Sequence, residues 1–134
     1  MVADASHPDS RHLVECHGEG SLRADVGVIS GAWYFEVQLR NAESFRVGWC
    51  DKQFRAEDFG MQLGDDMHSW AYDGVSAQQS LHNKIKQPYG LARTWKAGDV
   101  IGCGIDLGPF GDRSTTQMRF FLNGEDLGVA FQNI

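Results

Sequence analysis

No stretch of this sequence approaches the roughly 18 consecutive apolar residues that a membrane-spanning helix needs. Its first twelve residues, MVADASHPDSRH, are polar and carry no apolar core, so they are not expected to act as a secretory leader. Cysteine is scarce. Cys16, Cys50 and Cys103 are odd in number, widely spaced and without a C-x-x-C pair, which spells out neither a disulfide framework nor a zinc knuckle. Cys50 and Cys103 fall inside apolar runs, where a reduced thiol behaves as a small hydrophobe. A reducing, cytoplasmic setting is the expectation. Excess positive charge is missing too: 12 Lys and Arg face 18 Asp and Glu, a formal net charge of -6. The field of such a chain repels phosphate backbones and anionic lipid, so neither nucleic acid nor membrane is an expected partner.

Helical periodicity is nearly absent. Its one foothold is DKQFRAEDF, where Asp51 can cap a turn or two. What is present instead is alternation. AWYFEVQLR sets Trp33, Phe35, Val37 and Leu39 on one face against Tyr34, Glu36, Gln38 and Arg40, the period of a strand buried on one side. SFRVGWC repeats the pattern with Phe45, Val47 and Trp49 inward and Arg46 outward, and HSWAYDG follows with His68, Trp70 and Tyr72. DVIGCGIDL puts Ile101, Cys103, Ile105 and Leu107 on one face and the small Gly102 and Gly104 on the other. Glycine inside a strand marks close approach by another backbone or a bulky side chain. QMRFFLNGEDLGVAF reads as two strands, Met118/Phe120/Leu122 and Leu127/Val129/Phe131, turned through Asn123-Gly124. Sixteen glycines punctuate the 134 residues, and many short strands with turn signals between them make one all-β domain, a two-sheet antiparallel sandwich. The tryptophans Trp33, Trp49, Trp70 and Trp95 are expected in its core, with Trp95, just before a strand, the one that could instead face solvent.

In order and spacing, GAWYFEVQL, FRVGWC, LGDDMHSWAYDG, WKAGDVIGCGIDL and FFLNGEDLGVAF resemble the SPRY domain family, over roughly residues 20 to 131. The preceding GSLRADVGVISG looks like a strand pair leading in. The pattern is most like SPRY domains of large RING- and HECT-type ubiquitin ligases and of ryanodine-receptor channels. The resemblance implies a bent sandwich that recognises protein partners, performs no catalysis and carries no cofactor. The polar start reads as a tail over 1–12, leaving one domain over 13–134. Family members normally continue past the LGVAF strand with a further strand or two, whereas this sequence stops at Ile134. A C-terminal strand is therefore expected to be missing, which leaves an edge open to strand addition or dimerisation.

Chemistry concentrates in LGDDMHSWAYDG. Asp65, Asp66 and His68 are close enough in sequence to suggest a metal or an acid–base pair. Adjacent residues in extended backbone point to opposite faces, however. Nothing nearby supplies the D-x-D-x-D-G spacing of a calcium loop, and the remaining histidines show no zinc-ligand spacing. The reading is a turn in which Gly64 bends the chain and the two carboxylates accept backbone N–H bonds. Nucleophilic catalysis has little support, since Cys50 and Cys103 lack a local histidine and Ser69 and Ser80 lack a nucleophile-elbow glycine pattern. A cysteine–histidine pair assembled only by the fold stays open.

The rim carrying that turn is the expected recognition surface. The resemblance places an aromatic, Phe59, a few residues before it, and Glu57, Asp58, Asp65 and Asp66 would ring that anchor with acid. Such a patch favours a protein or linear peptide bearing a hydrophobe and basic or amide groups. The long polar loop from Asp73 to Gly90 contributes Tyr89, and within it SAQQSLHN can be a strand. The Gly108–Gln117 loop contributes an exposed Phe110. Loops on a rigid scaffold are where recognition usually resides. Two other readings stand beside this one: a lectin-like sandwich, and a structural piece docking inside its own parent protein.

Overall fold

The computed structural model describes residues 21–41, 46–56, 60–74, 79–83, 85–90, 93–110 and 112–134. Eight strands follow along the chain: β1 (Ala32–Gln38), β2 (Arg46–Cys50), β3 (Ser69–Asp73), β4 (Gln79–His82), β5 (Ile85–Pro88), β6 (Val100–Asp106), β7 (Gln117–Leu122) and β8 (Glu125–Gln132). They make two four-stranded sheets, ordered β1-β6-β7-β8 and β2-β3-β4-β5. Every pairing is antiparallel. A single 3-10 turn, Arg113–Thr115, is the only helical element among the described residues, and no helix there is long and apolar enough to cross a membrane. The all-β, two-sheet sandwich is what the alternating runs dictate.

The inward faces meet around Tyr72, Ile101, Cys103 and Phe120, each fully buried, with Leu39, Val47, Trp95 and Leu122 closing the cluster. Tyr72 is its hub. Its ring meets Tyr89 and Trp95 edge-on, with centroids 5.2 and 4.9 Å away, and tilts against Phe120 at 5.3 Å. Each such side chain contributes about 1.5–3 kcal/mol on burial, and edge-to-face contacts add about 0.5–1.5 kcal/mol. Trp95 is 3% exposed and therefore core. A glycine makes room for it: a Cβ on Gly74 would fall 1.9 Å from the indole.

The second sheet is covered on its outer side as well. Ser69 and Ala71 are fully buried and Asp73 nearly so, although Ala71 faces away from the core side occupied by Tyr72. Described residues between β2 and β3 lie over them, with Phe54 buried and the Gly64 N–H bonded to Ser69 Oγ at 2.8 Å. No helix forms at its start. The Asp51 carboxylate accepts the Gln53 N–H at 2.7 Å, and the described residues continue as turns.

Four local expectations need correction. Residues 21–31 form no strand; they run as an exposed strap whose Gly31 extends the β1–β6 ladder by two backbone bonds to Leu107 and Gly108. Among the described residues only Gly31 of this stretch makes ladder bonds to a strand, so the strand pair implied by the resemblance has no sheet partner there. Trp33 is 40% exposed, not core. The seven-residue β1 outruns the five-residue β2 that faces it through the Phe35–Trp49 contact, so the first side chain on that face projects past the opposing sheet. Trp49 and Trp70 are half-buried. Within the Asp73–Gly90 segment β4 falls inside SAQQSLHN, where a strand is expected, but the rest is no open loop: β5 pairs with β4 in a hairpin turned at Asn83, with φ of 51°. The four residues of β5 are all exposed, which is why no hydrophobic period announced it. Finally, Val129 does not share a face with Leu127 and Phe131. Register shifts within β7–β8 set Val129 opposite outward Arg119, while Leu127, Ala130 and Phe131 pack on the core.

Candidate functional site

The Asp65–Asp66 turn is built by opposed commitments. Gly64 takes φ of 88°, and the Asp65 N–H closes the turn on the Gln62 carbonyl at 3.0 Å. Asp65 accepts the Gln62 N–H at 3.1 Å and pairs with Arg46 Nη1 at 2.7 Å; that guanidinium also donates to the Leu63 carbonyl at 3.0 Å. Asp66 reaches the other way, accepting the His68 N–H at 3.1 Å and the Ser69 hydroxyl at 2.5 Å. The two carboxylates thus close on different partners and do not converge. Among the described residues no three His, Cys, Asp or Glu side chains cluster as metal ligands. The sequence pointed to a turn held by carboxylate-to-backbone bonds, and that is its geometry; the ion pair to Arg46, nineteen residues away along the chain, is what only the fold supplies.

Beside the turn, His68 Nδ1 lies 2.8 Å from Asp51 Oδ2. Burial alone would raise the Asp51 carboxyl, but the His68 bond and the Gln53 N–H outweigh it and hold it below the ordinary carboxylate value. His82 is committed to the Ser69 carbonyl at 3.0 Å. Burial pushes the Cys50 thiol up, against the pull of nearby Arg23, and pushes Cys103 well up. Thiols held in the neutral form are poor nucleophiles.

The seven candidate recognition residues do not share one described patch. Glu57, Asp58 and Phe59 lie outside the described residues, as do Phe45 and Cys16. Asp65 and Asp66 are half-buried in the turn. Tyr89, just after β5, is absorbed by the sandwich: its hydroxyl donates to the Gly128 carbonyl at 2.6 Å and accepts the Phe120 N–H at 3.2 Å, and burial raises its pKa to about 12. Phe110 is 80% exposed. Its loop is braced by the Gly31–Gly108 backbone bond of 3.0 Å at one side and by Asp112 capping the Arg113–Thr115 turn at the other. That bond also sets Phe110 at the same end of the sandwich as exposed Ile29 and Trp33.

One opening escaped the reading of the sequence. Between the β8 edge and the second sheet lies a groove of about 490 Å³, lined by Trp70, His82, Phe131 and Ile134 among others. The Trp70 and His82 rings stack within 5° of parallel at 4.8 Å. Its only trace in the sequence is the spacing that makes residues 70 and 82 cross-strand partners, a pairing visible only once the β3–β4 register is known.

The family model of the SPRY domain matches residues 32–134. The chain belongs to the SPRY domain family. This SPRY domain is also 37% identical over 114 residues to the E3 ubiquitin-protein ligase RKP of Arabidopsis thaliana, a match that takes in 85% of this chain and 8% of the ligase. The chain therefore spans a small fraction of that relative's length. The SPRY family signature covers both sheets and the braced turn, so the assignment agrees with the architecture and with the resemblance carried by GAWYFEVQL and the runs after it.

Proposed function

We propose that this SPRY domain is the non-catalytic partner-recognition module of a larger cytoplasmic ubiquitin ligase, and that it grips an extended peptide segment across its loop rim. The domain proper is taken as 13–134, with 1–12 a polar tail. The observation that carries the reading is Phe110, an apolar side chain left 80% exposed on a loop held at both ends. Exposed aromatics on braced backbone bind at low entropic cost and are the usual anchors of interfaces. Phe59, flanked by Glu57 and Asp58, is the second anchor. Asp65 and Asp66 hold the turn that follows it, and Tyr89 acts from beneath by fixing β8. The relative's name as a ubiquitin ligase supports the larger context.

Panning a random peptide library on the domain beside its Phe59→Ala, Phe110→Ala and Asp65→Ala variants tests this. Enrichment of a linear motif that Phe59→Ala and Phe110→Ala lose is the expected result. A motif that all three variants retain moves the site elsewhere.

A second reading has its own observation. Among the described residues β8 is the last strand of its sheet, and it borders the Trp70–His82 groove, a place where a strand from another segment or a second copy would find backbone partners. Sedimentation of the domain over a concentration series separates the two: a monomer throughout argues against self-pairing at this edge.

A further inference from the structure

The outer face of the first sheet carries a feature with no part in the loop rim. At the middle of β6 the outward positions are Gly102 and Gly104, and Tyr34 from β1 and Phe121 from β7 lean in over them. A Cβ on Gly102 would sit 2.1 Å from the Tyr34 hydroxyl and 2.7 Å from Cζ, so the ring occupies the space a side chain would fill. Phe121 abuts it edge-on, with centroids 5.4 Å apart at 80°. The Tyr34 hydroxyl donates to Glu36 Oε1 at 2.9 Å, which fixes the ring's azimuth. Tyr34 nevertheless remains 50% exposed. The result is a pinned aromatic surface, open to solvent, with an exposed carboxylate beside it.

We propose that this surface is a second docking point, which receives an arginine side chain of a protein partner: the guanidinium stacks on the Tyr34 ring and pairs with Glu36. Three features select that occupant. A planar cation gains from the ring quadrupole and from stacking at once, and arginine does this better than lysine. On the same face Arg119 and Asp126 satisfy each other at 2.7 Å, Arg40 lies past the end of β1, and the charges flanking the ring along β1 and β6, Glu36 and Asp106, are both acidic, so the Tyr34 end is negative. The chain as a whole is anionic, at -6, which favours the approach of a basic partner. Burial, followed by the Glu36 bond, raises the Tyr34 hydroxyl to about 12, so the ring stays neutral across the working range of pH.

The test titrates the whole chain with two peptides of equal charge, acetyl-Gly-Arg-Gly-Arg-Gly-amide and its lysine counterpart, at physiological salt, following aromatic ring resonances. The arginine peptide is expected to move the Tyr34 and Phe121 signals and to bind about fivefold tighter than the lysine peptide. Tyr34→Ala is expected to abolish the response. Glu36→Gln, an exposed substitution that leaves the ring in place, should weaken it severalfold without changing the unfolding midpoint. Phe59→Ala and Phe110→Ala should leave it untouched, which separates this docking point from the loop rim. Equal binding of both peptides, shifts scattered over the acidic surface, or a Tyr34 response to neutral lactose in their place would overturn the proposal.

Discussion

Tyr89 reaches across from the end of β5 and places its hydroxyl between β7 and β8, 2.6 Å from the Gly128 carbonyl. It does so where the ladder register shifts, and Gly128, with φ of 91°, supplies the bent backbone. One hydroxyl thereby satisfies a carbonyl and the Phe120 N–H that the irregular pairing leaves without each other. Tyr89→Phe keeps the ring contacts with Tyr72 and Phe120 but orphans both backbone groups, at a cost of about 1–3 kcal/mol. Urea unfolding of the two proteins measures it, and an unchanged midpoint would mean water replaces the hydroxyl at no penalty.

The same tyrosine makes stability fall in alkali. Its folded pKa of about 12 lies above its unfolded value of about 10, so the contribution is fully present below pH 10 and lost as pH rises from there through 12. Melting temperature against pH should decline over that window, and less steeply in Tyr89→Phe.

At acid pH the sign reverses. Asp51 is held below the ordinary carboxylate value, so its contribution is present above roughly pH 4 and lost as pH falls through the lower folded value. Asp51→Asn should flatten the acid limb of the melting profile below about pH 4. A profile identical to that of the unaltered chain would show the His68 contact to be energetically silent.

The paired aspartates should separate on mutation. Asp66→Ala strands the hydroxyl of fully buried Ser69 and should cost about 1–3 kcal/mol. Asp65→Ala leaves Arg46 still bonded to the Leu63 carbonyl and within 3.7 Å of Asp73, so its cost should be the smaller. Parallel denaturant titrations decide the order.

Tryptophans that look alike in the sequence should differ as sharply. Trp95→Ala empties the site against Tyr72 and Gly74 and should cost about 3–5 kcal/mol, whereas Trp33→Ala, at an exposed strand end, should stay within about 1 kcal/mol. Equal losses would contradict the placement of Trp33 beyond the opposing sheet.

Period-2 alternation determined the class of this protein, because a sheet with one face in the core writes its burial directly into every second residue. The β7–β8 hairpin was legible for a local reason as well: Asn123-Gly124 takes positive φ at both positions, which few other pairs tolerate. The glycines at 102 and 104 announced that something large lies over β6, and the turn at Gly64–Asp66 announced itself by its residue types. What the sequence could not carry was any quantity set by a partner far along the chain. β5 has no buried face, so nothing marked it. Trp33 alternates correctly but has no opposing strand above it. The register shifts in β8 rotate Val129 outward, and only the Tyr89 hydroxyl explains why the ladder accepts them. Which side chains cover the glycines, which cation holds Asp65, and which rings frame the groove beside β8 were all decided by the stacking of two sheets, since pairing across strands and layers depends on distances that sequence order does not contain.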